Sequence, residues 1–272
     1  MNSVSAAAKV NLALVVGPRR NDGRHEVATV LQGIDLADGV EFRPSSRLAV
    51  EGFAEDTLVR RALHALARHR GVEPRWRVRL DKRIPVASGL GGASSDAAAA
   101  LRLANASVAE PLDRSQLAEL AASLGADVPF FLTPGPKLGS ADGTDLRPLE
   151  LPQDYWIVLV LPAGERKEST AAVYRAFDER RGASGYEERL QDLEEALSRV
   201  RRPRDLARLP PNDLASSPLA GRLLALGAFR ADVTGAGPVV YGLFHHRNAA
   251  AAAAKALEGL GRTWISVPAW YF

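Results

Sequence analysis

The run Gly89-Leu-Gly-Gly-Ala-Ser-Ser95 brings together the residue types that bind anions through the backbone. Glycines let a ligand approach the main chain closely, and successive amide N–H groups point into the concavity they form. Ser94, Ser95 and Asp96 offer oxygens for a helix N-cap. The alanine-rich helix expected over 97–106 adds roughly half a positive charge at its start, which favours phosphate. The run is not of the Walker form, since no lysine follows the last glycine, nor does it have the three spaced glycines of a Rossmann loop. Taken alone it is compatible with a phosphate cradle or with a tight turn.

Other stretches carry weaker signals. Asp127 follows Gly125 and precedes Pro129 and two phenylalanines, a partly desolvated setting in which a carboxylate can act as a base, hold a cation or simply cap a turn. Lys9 lies in an apolar strand, an uncommon place for a lysine unless its amine reaches water or an acidic partner. Asn11, two residues on, shares its face. His25 in a polar turn reads as exposed more readily than as ligand-binding, and the other histidines are scattered. Thr234-Gly-Ala-Gly237, between two apolar runs, fits a tight hairpin better than a ligand contact when considered alone.

These residues need elements to hold them. The run 6–16 reads as a strand that breaks at Gly17-Pro18, and Asp22-Gly23 marks a hairpin leading into a second apolar run over 27–34. Helical spacing over 57–70 ends at Gly71, and 75–81 alternates as a strand before the glycine loop. Residues 114–124 form a further amphipathic helix with Gly125 as its C-cap. Proline, glycine and the hairpin-like Asp142-Gly143 fill 134–148, and a buried strand over 156–161 opens the second half. There, helices are expected near 168–180, 186–199, 219–227 and 248–258, and strands near 228–234, 238–244 and 263–267. The six alanines from Ala249 to Ala254 need be no more than a plain surface helix. A boundary near 150 gives two lobes, 1–150 and 151–272.

Composition narrows the function. The chain has 272 residues with a net charge of +3, too small to imply a nucleic-acid partner, and its arginine clusters are dispersed. It contains no cysteine, which excludes disulfides and thiolate metal sites and fits a reducing compartment. Neither a signal peptide nor a long apolar span is visible, so a cytoplasmic protein without a membrane partner is expected. No histidine and carboxylate spacing suggests a metal site.

Taken in order, Lys9-Val-Asn11, Asp22-Gly-Arg-His-Glu26, Pro85 with the glycine loop through Ala97, Gly125-Ala-Asp-Val-Pro129, Asn212-Asp213 and Thr234-Gly-Ala-Gly237 resemble the motifs of the GHMP small-molecule kinases along the whole chain. The resemblance implies a two-lobed α+β fold, the N-terminal lobe similar to a ribosomal-protein fold and the C-terminal lobe ferredoxin-like, with a cleft between. It implies ATP held by Pro85, Gly89, Leu90, Gly91, Gly92, Ala93, Ser94 and Ser95, with Ser95 near Mg2+. Lys9 and Asp127 would be catalytic. Asn11, Arg24, His25, Thr170, Tyr174, Gly235 and Gly237 would meet the acceptor, a small cytidine diphosphate polyol whose base edge His25 reads. Arg24 stands where the family has an aromatic residue that stacks on the cytosine, and Leu31 where a phenylalanine is common; a guanidinium plane can also stack on a base. A monomer or weak homodimer is expected. The alternatives are a kinase of another small alcohol and a non-catalytic nucleotide- or RNA-binding module of the same fold.

Overall fold

A computed structural model describes residues 2–53, 57–164 and 169–269. Two long strands dominate the first half: β1 (Asn2–Arg19) and β2 (His25–Pro44) pair antiparallel along almost their whole length. Both outrun the apolar stretches expected at 6–16 and 27–34. Pairing continues where hydrophobicity fades, because β2 meets β4 (Trp76–Asp81) through Gly39–Pro44 and β5 (Lys137–Ser140) through Thr29–Leu31 on its other edge. Two short strands complete this six-stranded sheet: β3 (Ala49–Glu51), not foreseen from the sequence, and β6 (Asp145–Pro148), which closes the hairpin at Asp142-Gly143.

Three helices lie against one side of that sheet: α1 (Thr57–Arg70), α2 (Gly92–Ser107) and α3 (Arg114–Leu124). Their apolar faces, including Leu63, Leu66, Ala97 and Leu101, bury with Val40, Val78 and Phe130. The bounds of α1 and α3 agree with the spacing of their apolar residues, and Asp113 and Gln116 cap α3 reciprocally. Helix α2 starts five residues before the expected Ala97, so the last glycine of the loop is already helical.

The second sheet is antiparallel, in the order β10 (Gly261–Ser266), β7 (Trp156–Pro162), β9 (Val240–Phe244), β8 (Arg230–Val233). One of its faces joins β1 and α5 (Tyr186–Arg199) in a core shared by both sheets, with Val10, Leu12, Ile157, Leu159 and Tyr241 at its centre. The other face is covered by α6 (Pro218–Ala225) and α7 (Arg247–Leu257). The alanine run of α7 is therefore more than a plain surface helix: Ala250 and Ala253 are buried, their small side chains letting the helix sit close on the sheet. Helix α4 (Thr170–Glu179) begins within the span expected from 168, residue 168 itself lying outside the described residues. No helix among the described residues is long and apolar enough to cross a membrane.

Candidate active site

Alternation along β1 sends Val10 and Leu12 into the shared core and turns Lys9 and Asn11 to the opposite face. That face opens on a cavity of about 880 Å3, near the upper end of small-ligand pockets. The Lys9 side chain is 4% exposed, and its ammonium donates to Asn11 Oδ1 at 2.6 Å and lies 3.6 Å from Asp127 Oδ2. The strand lysine thus has the acidic partner its surroundings demanded. Asp127 is 40% exposed, so its carboxylate faces the cavity with solvent access rather than being shut away.

Asp127 is held between the end of α3 and a short 3-10 helix, Pro129–Leu132, with proline at its first position. Buried Phe130 and Phe131 anchor that helix from below. Its far end is tied by Lys137 on β5, whose ammonium donates to the carbonyls of Phe130 (3.1 Å), Thr133 (2.6 Å), Pro134 (3.3 Å) and Gly135 (3.1 Å). Burial pulls the Lys137 ammonium down to about 8.

The glycine loop reaches the same cavity. Gly89 and Gly91 adopt left-handed φ values of 84° and 75°, and a Cβ on Gly91 would press on the Phe131 ring at 3.0 Å and the Lys9 stem at 3.1 Å. The Lys9 amide donates to Leu90 O at 2.9 Å, tying loop to strand. The expected N-cap by Ser94, Ser95 or Asp96 does not occur. Gly91 caps α2 without any side-chain bond, so the leading amides of the helix stay open toward the cavity, as an anion site requires. Asp96 instead turns inward to bond Lys82 at 2.6 Å. Burial depresses the Lys82 ammonium, but Asp96 and Asp38 outweigh it and leave it above its ordinary value.

Of the loop residues, Gly89, Gly91, Gly92, Ala93 and Ser94 line the cavity together with Pro85, while Leu90 and Ser95 are buried beneath it. Ile84, Val86, Phe53 and Leu58 make an apolar end beyond Pro85. Among the described residues, no group of three or more His, Cys, Asp or Glu is arranged to hold a metal ion.

The opposite end is built around His25, which is 7% exposed, against the expectation of a solvent-facing turn residue. The reason is helix α4: Tyr174 stacks on the imidazole at 4.8 Å between ring centroids, Phe177 meets its edge, and Asp178 Oδ1 lies 2.7 Å from Nε2. Thr170, Tyr174 and Asp178 fall four residues apart on one face of the helix and all line the cavity. Burial, with the nearby Asp127 charge, pushes the Tyr174 phenol up to about 12, so it stays neutral. Arg24 reaches across the mouth to Asp142, and Thr144 donates to that carboxylate from its hydroxyl at 2.6 Å and its amide at 3.2 Å. Burial raises the Asp142 carboxyl, but these hydrogen bonds and Arg24 outweigh it and hold it below its ordinary value. Gly235 and Ala236 enter from the β8–β9 turn; Gly237 belongs to the same hairpin but does not line the cavity. The cluster is thus both the tight hairpin its residues suggested and a wall of the cavity.

Asp178, Asp142 and Lys82 were not foreseen as site residues. The helical spacing of Thr170, Tyr174 and Asp178 is a signal by which Asp178 could be found, whereas Asp142 stands in a hairpin turn and nothing in the local sequence marks Lys82.

Comparison with known proteins gives the same pattern from another direction. The family profile of the GHMP kinases N terminal domain matches residues 57–135, and that of the GHMP kinases C terminal domain matches 188–262. The 4-diphosphocytidyl-2-C-methyl-D-erythritol kinase of Anaeromyxobacter dehalogenans (strain 2CP-C) is 40% identical over 93% of this chain and 84% of its own. That of Moorella thermoacetica is 39% identical over 89% of each. A crystal structure of 4-(cytidine 5'-diphospho)-2C-methyl-D-erythritol kinase, 34% identical, superposes with a TM-score of 0.80 over 98% of this chain and 99% of that one. A mevalonate kinase at 14% identity and a TM-score of 0.76 shares the fold.

Proposed function

The chain belongs to the 4-diphosphocytidyl-2-C-methyl-D-erythritol kinases of the GHMP superfamily, and on that premise we propose how its cavity moves the γ-phosphoryl of ATP to the 2-hydroxyl of that alcohol, a step in non-mevalonate isoprenoid precursor synthesis. The observation that carries the reading is the Lys9–Asp127 pair, 3.6 Å apart in the cavity that the glycine loop also lines.

In this reading the open amides at the start of α2 and the amides of Gly89 to Ser94 hold the anionic tail, and the apolar end near Pro85 takes the purine. The acceptor lies toward His25, Tyr174 and Thr170. Asp127 accepts the hydroxyl proton as the oxygen bonds to the γ-phosphorus and the bond to the bridging oxygen of ADP breaks. Lys9 keeps one N–H on Asn11, which fixes its direction, and turns the others to Asp127 and to the charge on the phosphoryl oxygens.

Mg2+ would supply further charge neutralisation on the phosphates. Among the loop hydroxyls, Ser94 reaches the cavity in this conformation, and Ser95 sits one layer deeper. With Arg24 in place of an aromatic residue, the guanidinium plane would cover the cytosine on one side. Asn11, Gly235 and Ala236 would complete the acceptor wall, with Gly237 shaping the turn behind them. The division into lobes at residue 150, a monomer or weak dimer, and action in the cytoplasm belong to the same reading, the last supported by the cysteine-free sequence.

The test is ADP release from Mg-ATP with three acceptors in parallel: 4-diphosphocytidyl-2-C-methyl-D-erythritol, mevalonate and homoserine. Turnover with the first alone is expected. Equal turnover with another alcohol, or none with the first, would overturn the substrate assignment.

A further inference from the structure

Thr234 opens the second glycine cluster and has so far served only as the residue before a turn. Its side chain is fully buried where strand β1, the glycine loop and the β8–β9 turn converge. The hydroxyl oxygen accepts from the Asn11 amide at 3.1 Å and the hydroxyl donates to Asn11 Oδ1 at 3.2 Å, so both backbone and side chain of Asn11 depend on it.

The directions of these bonds follow from donor counting. Thr29 spends its one hydroxyl proton on the Ala13 carbonyl at 2.9 Å, so its oxygen is left to accept, and it takes Asn11 Nδ2 at 2.8 Å. That orients the Asn11 amide with Oδ1 toward Lys9, whose ammonium it receives at 2.6 Å. Thr234 is the second donor to the same oxygen. Its alternative acceptor, the Gly89 carbonyl, is more distant at 3.5 Å.

We propose that Thr234 is a positioning residue of the phosphoryl-transfer step: through Asn11 it fixes the direction of the Lys9 ammonium toward Asp127. The role rests on the catalytic reading of Lys9 given above. It also gives a residue of the turn after β8 a part in chemistry on β1: the hydroxyl registers one lobe against the other at the point where the ammonium must be held.

Thr234→Val replaces the hydroxyl with a methyl group of nearly equal size, leaving the Asn11 amide without its acceptor and Oδ1 without its second donor. The expected result is a kcat about tenfold lower, the effect of losing the one bond of the two that reaches Oδ1 and so aims the ammonium, with the KM for ATP within about twofold of wild type. Thr234→Ser, which keeps the hydroxyl, should recover kcat to within about twofold, and melting curves of both variants report folding independently. In a Lys9→Ala background, Thr234→Val should cost no further activity, because the residue it serves is gone. Thr234→Val at the wild-type rate, equal losses in Val and Ser variants, or an undiminished loss in the Lys9→Ala background would each overturn the positioning role. The catalytic reading fails separately: it falls if Lys9→Ala alone runs at the wild-type rate.

Discussion

Replacing Gly89 by alanine tests how closely the glycine loop is wedged into the lobe junction. A Cβ at this position would stand 2.4 Å from the Thr234 carbonyl oxygen and 3.2 Å from that of Gly237, where ordinary contact begins at 3.4 Å. Both obstacles are backbone, and the Thr234 oxygen is itself pinned by the Gly237 amide at 3.0 Å, so roughly 1 Å of movement falls on the loop or on the junction. The left-handed φ of 84° adds about 1–2 kcal/mol for any residue with a Cβ, and overpacking of this kind costs about 1–3 kcal/mol, giving an expected loss of about 2–5 kcal/mol. A 1 Å displacement of a phosphate cradle should lower kcat/KM about a hundredfold. Gly71→Ala is the control: its φ of 63° is also left-handed, but nothing lies within 4 Å of the added carbon, so it incurs only the conformational cost and leaves turnover unchanged. Urea unfolding followed by circular dichroism and steady-state ADP release measure the two quantities. Gly89→Ala within threefold of wild-type kcat/KM, or no less stable than Gly71→Ala, would refute the wedge.

Lys137→Met removes the ammonium from four carbonyls behind Asp127 and should destabilise the protein by about 2–4 kcal/mol near pH 7. Because the folded value, about 8, lies below the unfolded value near 10.4, the folded chain sheds this proton first, and wild type should gain stability relative to the variant as pH rises between those values; a gap that stays constant or narrows contradicts this. Asp178→Ala frees the His25 ring at the proposed acceptor end and should raise the acceptor KM about tenfold while leaving the ATP KM unchanged, and a change confined to ATP would reverse the assignment of the two ends. Arg24→Ala should likewise raise the acceptor KM by about threefold to tenfold, measured against cytidine nucleotides as competitors; unaltered competition would remove Arg24 from base recognition.

Much of the architecture could be read from local pattern. Helices α1 and α3 carry apolar residues at regular spacing and closing glycines that tertiary packing did not override. What escaped was non-local. The second half of β2 is held by pairing on both edges, not by its own hydrophobicity, and three-residue β3 exists only because β4 offers it an edge. Local pattern places the start of α2 too late because glycines depress helix propensity, yet Gly91 in a left-handed turn serves as the cap.

At the site the same distinction holds. Lys9 and Asn11 share a face by strand alternation, which sequence alone implies, while the 3.6 Å approach of Asp127 depends on a helix and a 3-10 turn more than a hundred residues downstream. The polar neighbours of His25 in sequence predict exposure; its burial comes from α4, whose Tyr174 and Asp178 lie about 150 residues away.

In the proposed mechanism Asp127, beside Lys9 over the glycine loop, takes the acceptor proton. The most direct measurement is a single-turnover transfer of labelled γ-phosphate from ATP to 4-diphosphocytidyl-2-C-methyl-D-erythritol by wild type and Asp127→Asn, with ATP affinity measured alongside. Transfer in the variant is expected to be at least about a hundredfold slower at unchanged ATP affinity. Transfer at the wild-type rate, or slowing fully explained by lost ATP binding, would contradict it.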